Sequence, residues 1–275
     1  MEKPTDFPMQ QERVLTCGDT TIGILPEINL VSHFQVGNWP VLYRAIGTGN
    51  VRRWGMPLMI PNFSRLKDGL FEDKGTSLPM HGFGRLLPWS VTAQTPRSIT
   101  LQLDSNETTH AQYPYDFRFL THIEVSENTL TYTLTMENHS SEVMPIAPGF
   151  HPYFAVGQAE KAQVITDGPE GFAIDQFQWD TNPPDRLYPF TNHELNVQIP
   201  KGGFLSIREL PVNGSYSLAH LQIWSEPVTA PDHEFICFEP VVAGENSLNL
   251  KQERLNIQPG SSHQLILQLH ARPFE

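Results

Sequence analysis

Three short segments place ionisable side chains among apolar neighbours: HGFGR (81–85), GFHPYF (149–154) and FICFEPV (235–241). In the first, His81 and Arg85 stand four positions apart around Gly82 and Gly84. Donors carried on backbone that permits close approach suit the gripping of a polar ligand better than a packed strand. In the third, Glu239 follows Phe235, Ile236, Cys237 and Phe238, a run with the composition of a buried strand, and Pro240 is expected to end regular pairing just after it. A carboxylate at the end of a buried strand needs a partner or a chemical task. Taken singly, Glu239 also fits a structural ion pair, and His151, between Phe150 and Pro152, also fits a core histidine bonded to backbone. As a pair they offer the proton donor and acceptor that acid–base catalysis requires.

The elements that must carry these groups read as strands. Apolar and polar residues alternate in SITLQL (98–103), FRFLTHIEV (117–125), LTYTLTM (130–136) and QLILQ (264–268), the period of half-buried β-structure. The polar SENT between Val125 and Leu130 predicts a hairpin turn. Helical periodicity is confined to a short stretch near Gln158 to Val164, and DTNPPDRLYP (180–189) reads as a long surface loop. The 24 prolines and 19 glycines agree with many turns. No repeat or linker divides the chain, so the 275 residues are expected to form a single all-β domain, 1–275, a large antiparallel sandwich.

A formal charge of −12 and the lack of a Lys/Arg-rich run argue against nucleic acid and anionic membrane as partners. The opening residues show no signal-peptide pattern and no stretch is apolar enough to span a membrane, so a cytoplasmic location is expected. Cys17 and Cys237, far apart and without a CxxC pair, read as reduced thiols. The histidines form no HExxH and no tight cluster with Asp, so no metal is expected.

The order and wording of GMPLMIPNFSRLKDGLF (55–71), PMHGFGRLLPW (79–89), GFHPYF and FEPV resemble the aldose 1-epimerase (mutarotase) superfamily, including its glucose-6-phosphate 1-epimerase branch, over most of the chain. The resemblance implies a galactose mutarotase-like supersandwich that interconverts the α and β anomers of an aldose without a cofactor. It implies His151 as general acid, Glu239 as general base, and Arg65, His81 and Arg85 as substrate-binding groups, with Gly82 and Gly84 letting backbone and ligand approach. An acidic residue that also holds substrate in such proteins is left open among Asp167, Asp175 and Asp180. Trp89, beside Leu87 and Pro88, reads as core, and Trp224 as either core or site.

Three functions follow from these residues. The first is mutarotation of a free aldose. The second takes a hexose 6-phosphate, because VRRWGMP (51–57) resembles the Arg-containing segment of the phosphate branch and Arg53, Arg65 and Arg85 would surround a dianion. Arg52 and Arg53 also fit solvated surface charge. The third is a sugar-binding or regulatory protein without turnover. An Arg53 tied to a carboxylate would favour the neutral sugar.

Overall fold

The computed structural model describes residues 12–44 and 53–275, so the reading of the first eleven residues and of Arg52 lies outside the described residues. The alternating segments form strands as their period demands. Phe117–Ser126 pairs with Thr129–Asn138, which pairs in turn with Ser262–Pro273. Their inward residues Phe119, Ile123, Leu130, Tyr132, Leu134, Leu265 and Leu267 are buried in one apolar core. The predicted hairpin is present and tighter than its polar run: Ser126 already pairs with Thr129, and Asn128 takes the left-handed conformation that a short turn needs.

These strands belong to an eight-stranded sheet, which runs in order from Ile165–Thr166 through Glu194–Ile199, Gly203–Leu210, Ser262–Pro273, Thr129–Asn138, Phe117–Ser126 and Ser98–Asp104 to Ser90–Gln94. A ten-stranded sheet packs against it. Its main path runs Arg13–Cys17, Thr20–Leu25, Leu30–Val36, Met56–Met59, Gly149–Phe150, Phe235–Val241, His220–Trp224 and Asp185–Pro189, and Tyr153–Ala155 also pairs with Phe235–Val241. All named strand pairs of both sheets are antiparallel. Phe150 of the second sheet meets Tyr132 of the first edge to face, 5.2 Å between ring centres, so the two sheets share one core. The result is the expected antiparallel β-sandwich.

Two expectations need correction. Asp185–Pro189, read as part of a loop, is a strand paired with His220–Trp224. It lies at the end of the sheet path, where proline costs no interior ladder bond. Pro240 does not end the pairing: Pro240 lies opposite Leu221 and Val241 opposite His220. Proline's fixed φ is compatible with extended backbone, and only one donor is lost. The helical stretch is a 3-10 helix, Gln158–Gln163. Among the described residues, no helix is long and apolar enough to cross a membrane.

The ten-stranded sheet is covered on both faces where it matters. In Phe235–Val241 all seven residues are buried. Ile236 and Phe238 enter the inter-sheet core, whereas Phe235 and Cys237 pack with Tyr153, and Val241 with Met59 and Phe63, on the opposite face. Period two therefore sends Glu239 to that opposite face. The same alternation puts Phe150 inside and His151 outside, and Leu221 and Ile223 inside with Gln222 and Trp224 outside.

The HGFGR loop is pinned to Ile60. Gly82 has φ +67°, and a Cβ added there would sit 2.1 Å from the Ile60 carbonyl oxygen; at Gly84 it would sit 2.2 Å from Ile60 Cγ2. The Gly84 amide donates to that carbonyl at 3.0 Å. Gly82 thus admits the Ile60 backbone and Gly84 the Ile60 side chain, so Ile60 makes the close approach at both glycines. Gly82→Ala combines a backbone clash with a disfavoured φ and is expected to destabilise the fold by more than about 2 kcal/mol, read as a lowered urea midpoint at unchanged m-value.

Candidate active site

A cleft of about 1020 Å³ opens on the outer face of the ten-stranded sheet, and His81, His151, Glu239, Arg65 and Arg85 all line it. Five sequence positions from four segments thus reach one cavity. Glu239 and His151 form its floor, 2% and 5% exposed. Glu239 Oε1 lies 3.4 Å from His151 Nδ1, close enough for an ion pair, but Nδ1 has no aligned hydrogen-bond partner. Tyr153 stacks on the His151 ring, 4.5 Å between centres and 3° from parallel, with its hydroxyl 3.5 Å from Nε2. Trp224 and His81 meet the same ring edge to face. The imidazole is therefore held by flat faces that fix its plane.

His81 is held differently. The Ser64 amide donates to His81 Nδ1 at 3.1 Å, while the His81 amide donates to the Ser64 carbonyl at 2.9 Å. Because Nδ1 accepts, the ring hydrogen sits on Nε2, and His81 offers a ligand a donor. His81 has φ +65° and Ser64 φ +53°, so the paired loops adopt left-handed backbone at both contacts. Arg85 is half-buried and Arg65 exposed at the rim, its Nε 3.4 Å from Met80 Sδ.

Besides Glu239, the acidic groups that line the cleft are Asp185 and Glu245, and Asp185 is the one on the sheet. It lines the cleft and accepts from Gln222 Nε2 at 2.7 Å, Gln222 being the register partner of Leu187. None of the three candidates lines it: Asp167 accepts from the Asn196 amide and side chain in a separate cavity, Asp180 accepts from Gln158, and Asp175 lies in a 3-10 turn. Asp185 was hidden in a proline-rich run; its signal was the Asp-x-Leu-x alternation inside DRLYP. Trp89 is core, its Nε1 donating to the Gly84 carbonyl at 2.7 Å, whereas Trp224 lines the cleft. Arg53 also lines it, ion-paired to Glu226 and with its guanidinium 5.4 Å from the Trp224 ring centre.

Burial controls the protonation of the floor. It drives the Glu239 carboxyl well above the usual carboxylate range, with Asp185 adding in the same direction and Arg85 opposing. It drives His151 well below the usual imidazole value, with His81 and Arg85 adding. Both directions disfavour an imidazolium facing a carboxylate and favour the neutral pair, with its single proton on Glu239. His151, Cys237 and Glu239 also bring their ligand-type atoms within 4.8 Å of one another, a cluster that one-dimensional spacing did not reveal.

An antiparallel β-sandwich bearing such a cleft on one sheet defines a class, and its relatives share the architecture. A Synechocystis protein matches it with a TM-score of 0.83 over 100% of this chain and 99% of that one at 20% identity. A galactose mutarotase related enzyme from Lactobacillus acidophilus matches with 0.77 over 95% and 97% at 18% identity. These place the fold among galactose mutarotase-like sandwiches. The sequence profile of aldose 1-epimerase matches residues 65–198. A Salmonella typhimurium protein named "Putative glucose-6-phosphate 1-epimerase" is 30% identical over 178 residues, 58% of this chain and 56% of that protein, so the chain spans little more than half the length of that relative. An Escherichia coli protein of the same name is 28% identical over the same shares. Over these residues the chain is similar to the aldose 1-epimerase superfamily.

Burial, and then Arg85 and Arg65, push the His81 value down to about 3. Between that value and the unfolded value of about 6.5, the unfolded chain binds a proton that the native imidazole refuses, so stability falls as pH drops through this window. In His81→Asn, urea unfolding at pH 4.5 and 5.5 should show this slope reduced by about 1.4 kcal/mol per pH unit.

Proposed function

We propose that this protein is an aldose 1-epimerase that interconverts the α and β anomers of a neutral aldose. The observation that carries the reading is the 3.4 Å approach of His151 Nδ1 to Glu239 Oε1 on the floor of the cleft. His151 gives a proton to the ring oxygen while Glu239 takes one from the anomeric hydroxyl; the bond between C1 and the ring oxygen breaks, and C1 becomes a carbonyl carbon. Rotation about C1–C2 exposes the other carbonyl face, and both transfers reverse on closure, so no proton is gained or lost. The pair already holds the one proton this needs. Sugar hydroxyls donating to Glu239 favour its charged form and move that proton towards His151. His81, Arg85 and Arg65 hold the sugar from the loops, and Asp185 with Gln222 from the sheet.

Removing either transfer group leaves most of the contact surface intact. Glu239→Gln and His151→Asn are each expected to lower turnover by about 100- to 10,000-fold while sugar affinity changes only a few-fold. Polarimetry of freshly dissolved anomers measures the first and equilibrium binding the second. A near-full rate in Glu239→Gln supports instead the sugar-binding protein without turnover.

A neutral substrate is favoured because Arg53 is committed to Glu226 and to the Trp224 face. A hexose 6-phosphate is the second reading, supported by the names of the curated relatives and by Arg65 and Arg85 in the cleft. Glucose or galactose is expected to exceed glucose 6-phosphate in kcat/KM. A large preference for the phosphate ester that collapses in Arg53→Ala reverses the assignment, since it requires Arg53 to leave Glu226 for the ligand.

A further inference from the structure

Cys237 shares an outward strand face with Glu239, two residues on, and reaches the same small volume as His151. The ligand-type atoms of the three residues lie within 4.8 Å of one another, so a central point lies within about 2.8 Å of each, against roughly 2.0–2.3 Å for zinc bonds to these donors. A contraction of about half an ångström completes the coordination. A second feature points the same way: His151 Nδ1 is buried and, 3.4 Å from the Glu239 carboxylate, has no aligned hydrogen-bond partner. Acid–base chemistry on a sugar gives Cys237 no task.

We propose that His151 Nδ1, Cys237 Sγ and Glu239 form a three-ligand site for a thiophilic divalent cation such as Zn²⁺, and that the ion, entering from the cleft, silences the acid–base pair. Thiolate, imidazole and carboxylate are the donor set such ions select, and three protein ligands leave a fourth position for water on the open side. Charge is conserved: the ion replaces the thiol and carboxyl protons, two in all, and no electron moves. Burial holds both protons on, for Cys237 as for Glu239, so binding in the neutral range releases them. The charged or titratable groups that face the three are Arg53, Arg85, Lys161, His81, Tyr153, Asp185 and Glu226. The exchange adds no net charge against the cations among them, which makes it feasible.

The binding claim is independent of the epimerase reading, whereas the silencing rests on it. The test titrates Co²⁺, as a spectroscopic substitute, into the protein without sugar. One equivalent is expected to give a thiolate-to-cobalt charge-transfer band, with about two protons released per ion by calorimetry in buffers of different ionisation enthalpy. Cys17→Ala keeps the band and Cys237→Ala loses it, and Glu239→Gln releases one proton fewer, a second measure should Cys237→Ala fail to fold. Zn²⁺ should inhibit mutarotation at least 10-fold less effectively in Cys237→Ala than in the parent. Absence of the band in the parent, or its persistence in Cys237→Ala, overturns the site. A band without any mutarotase activity leaves the site standing and removes the proposed function.

Discussion

The structure depends on one strand that is buried on both faces. Phe235–Val241 lies between the inter-sheet core and a second apolar layer formed by Tyr153, Phe235 and Cys237 on one side of Glu239 and by Met59, Phe63 and Val241 on the other. An ionised carboxylate there loses its hydration, so the carboxyl is pushed towards its protonated form and its neighbour His151 towards the neutral one. That desolvation also makes the pair responsive: a ligand that brings hydroxyls to the floor replaces missing water and alters both groups at once. The rest of the sheet is arranged around this constraint, with Gln222 directly opposite Glu239 on the next strand and Asp185 opposite Trp224 on the one beyond.

Precision at the floor comes from ring packing more than from hydrogen bonds. His151 has no aligned bond at Nδ1, yet Tyr153 lies parallel to it and Trp224 and His81 stand across it. Its chain neighbour Phe150 locks into Tyr132 of the opposite sheet, and Tyr132 donates to Asn29 at 2.9 Å. A shift of one sheet over the other is therefore transmitted to the imidazole through a single peptide unit.

The strands were legible in the sequence because alternation is local: half-buried residues must repeat every second position whatever the partner strand. His81, His151 and Glu239 were legible because each is a polar group in an apolar setting. Asp185 was not, since its prolines imitate a loop and only pairing with His220–Trp224 shows them to be an edge strand. The commitment of Arg53 to Glu226, and the approach of Cys237 to His151, join residues far apart in the chain, and no spacing rule encodes them. The glycines of HGFGR are close-approach positions, and what approaches is Ile60, by its carbonyl at Gly82 and its side chain at Gly84.

The reciprocal pairing of Ser64 with His81 has a consequence for molecular discrimination. Because one ring nitrogen is consumed by a main-chain amide and the ring resists a second proton down to about pH 3, the remaining nitrogen is a donor at every physiological pH. A hydroxyl, which accepts as readily as it donates, satisfies it. An ammonium group at the same place on an amino sugar has no lone pair to offer and would set N–H against N–H beside two arginines. The cleft is thereby biased against cationic sugar mimics on this wall by the wiring of its backbone, before any contact with the reacting carbon is made.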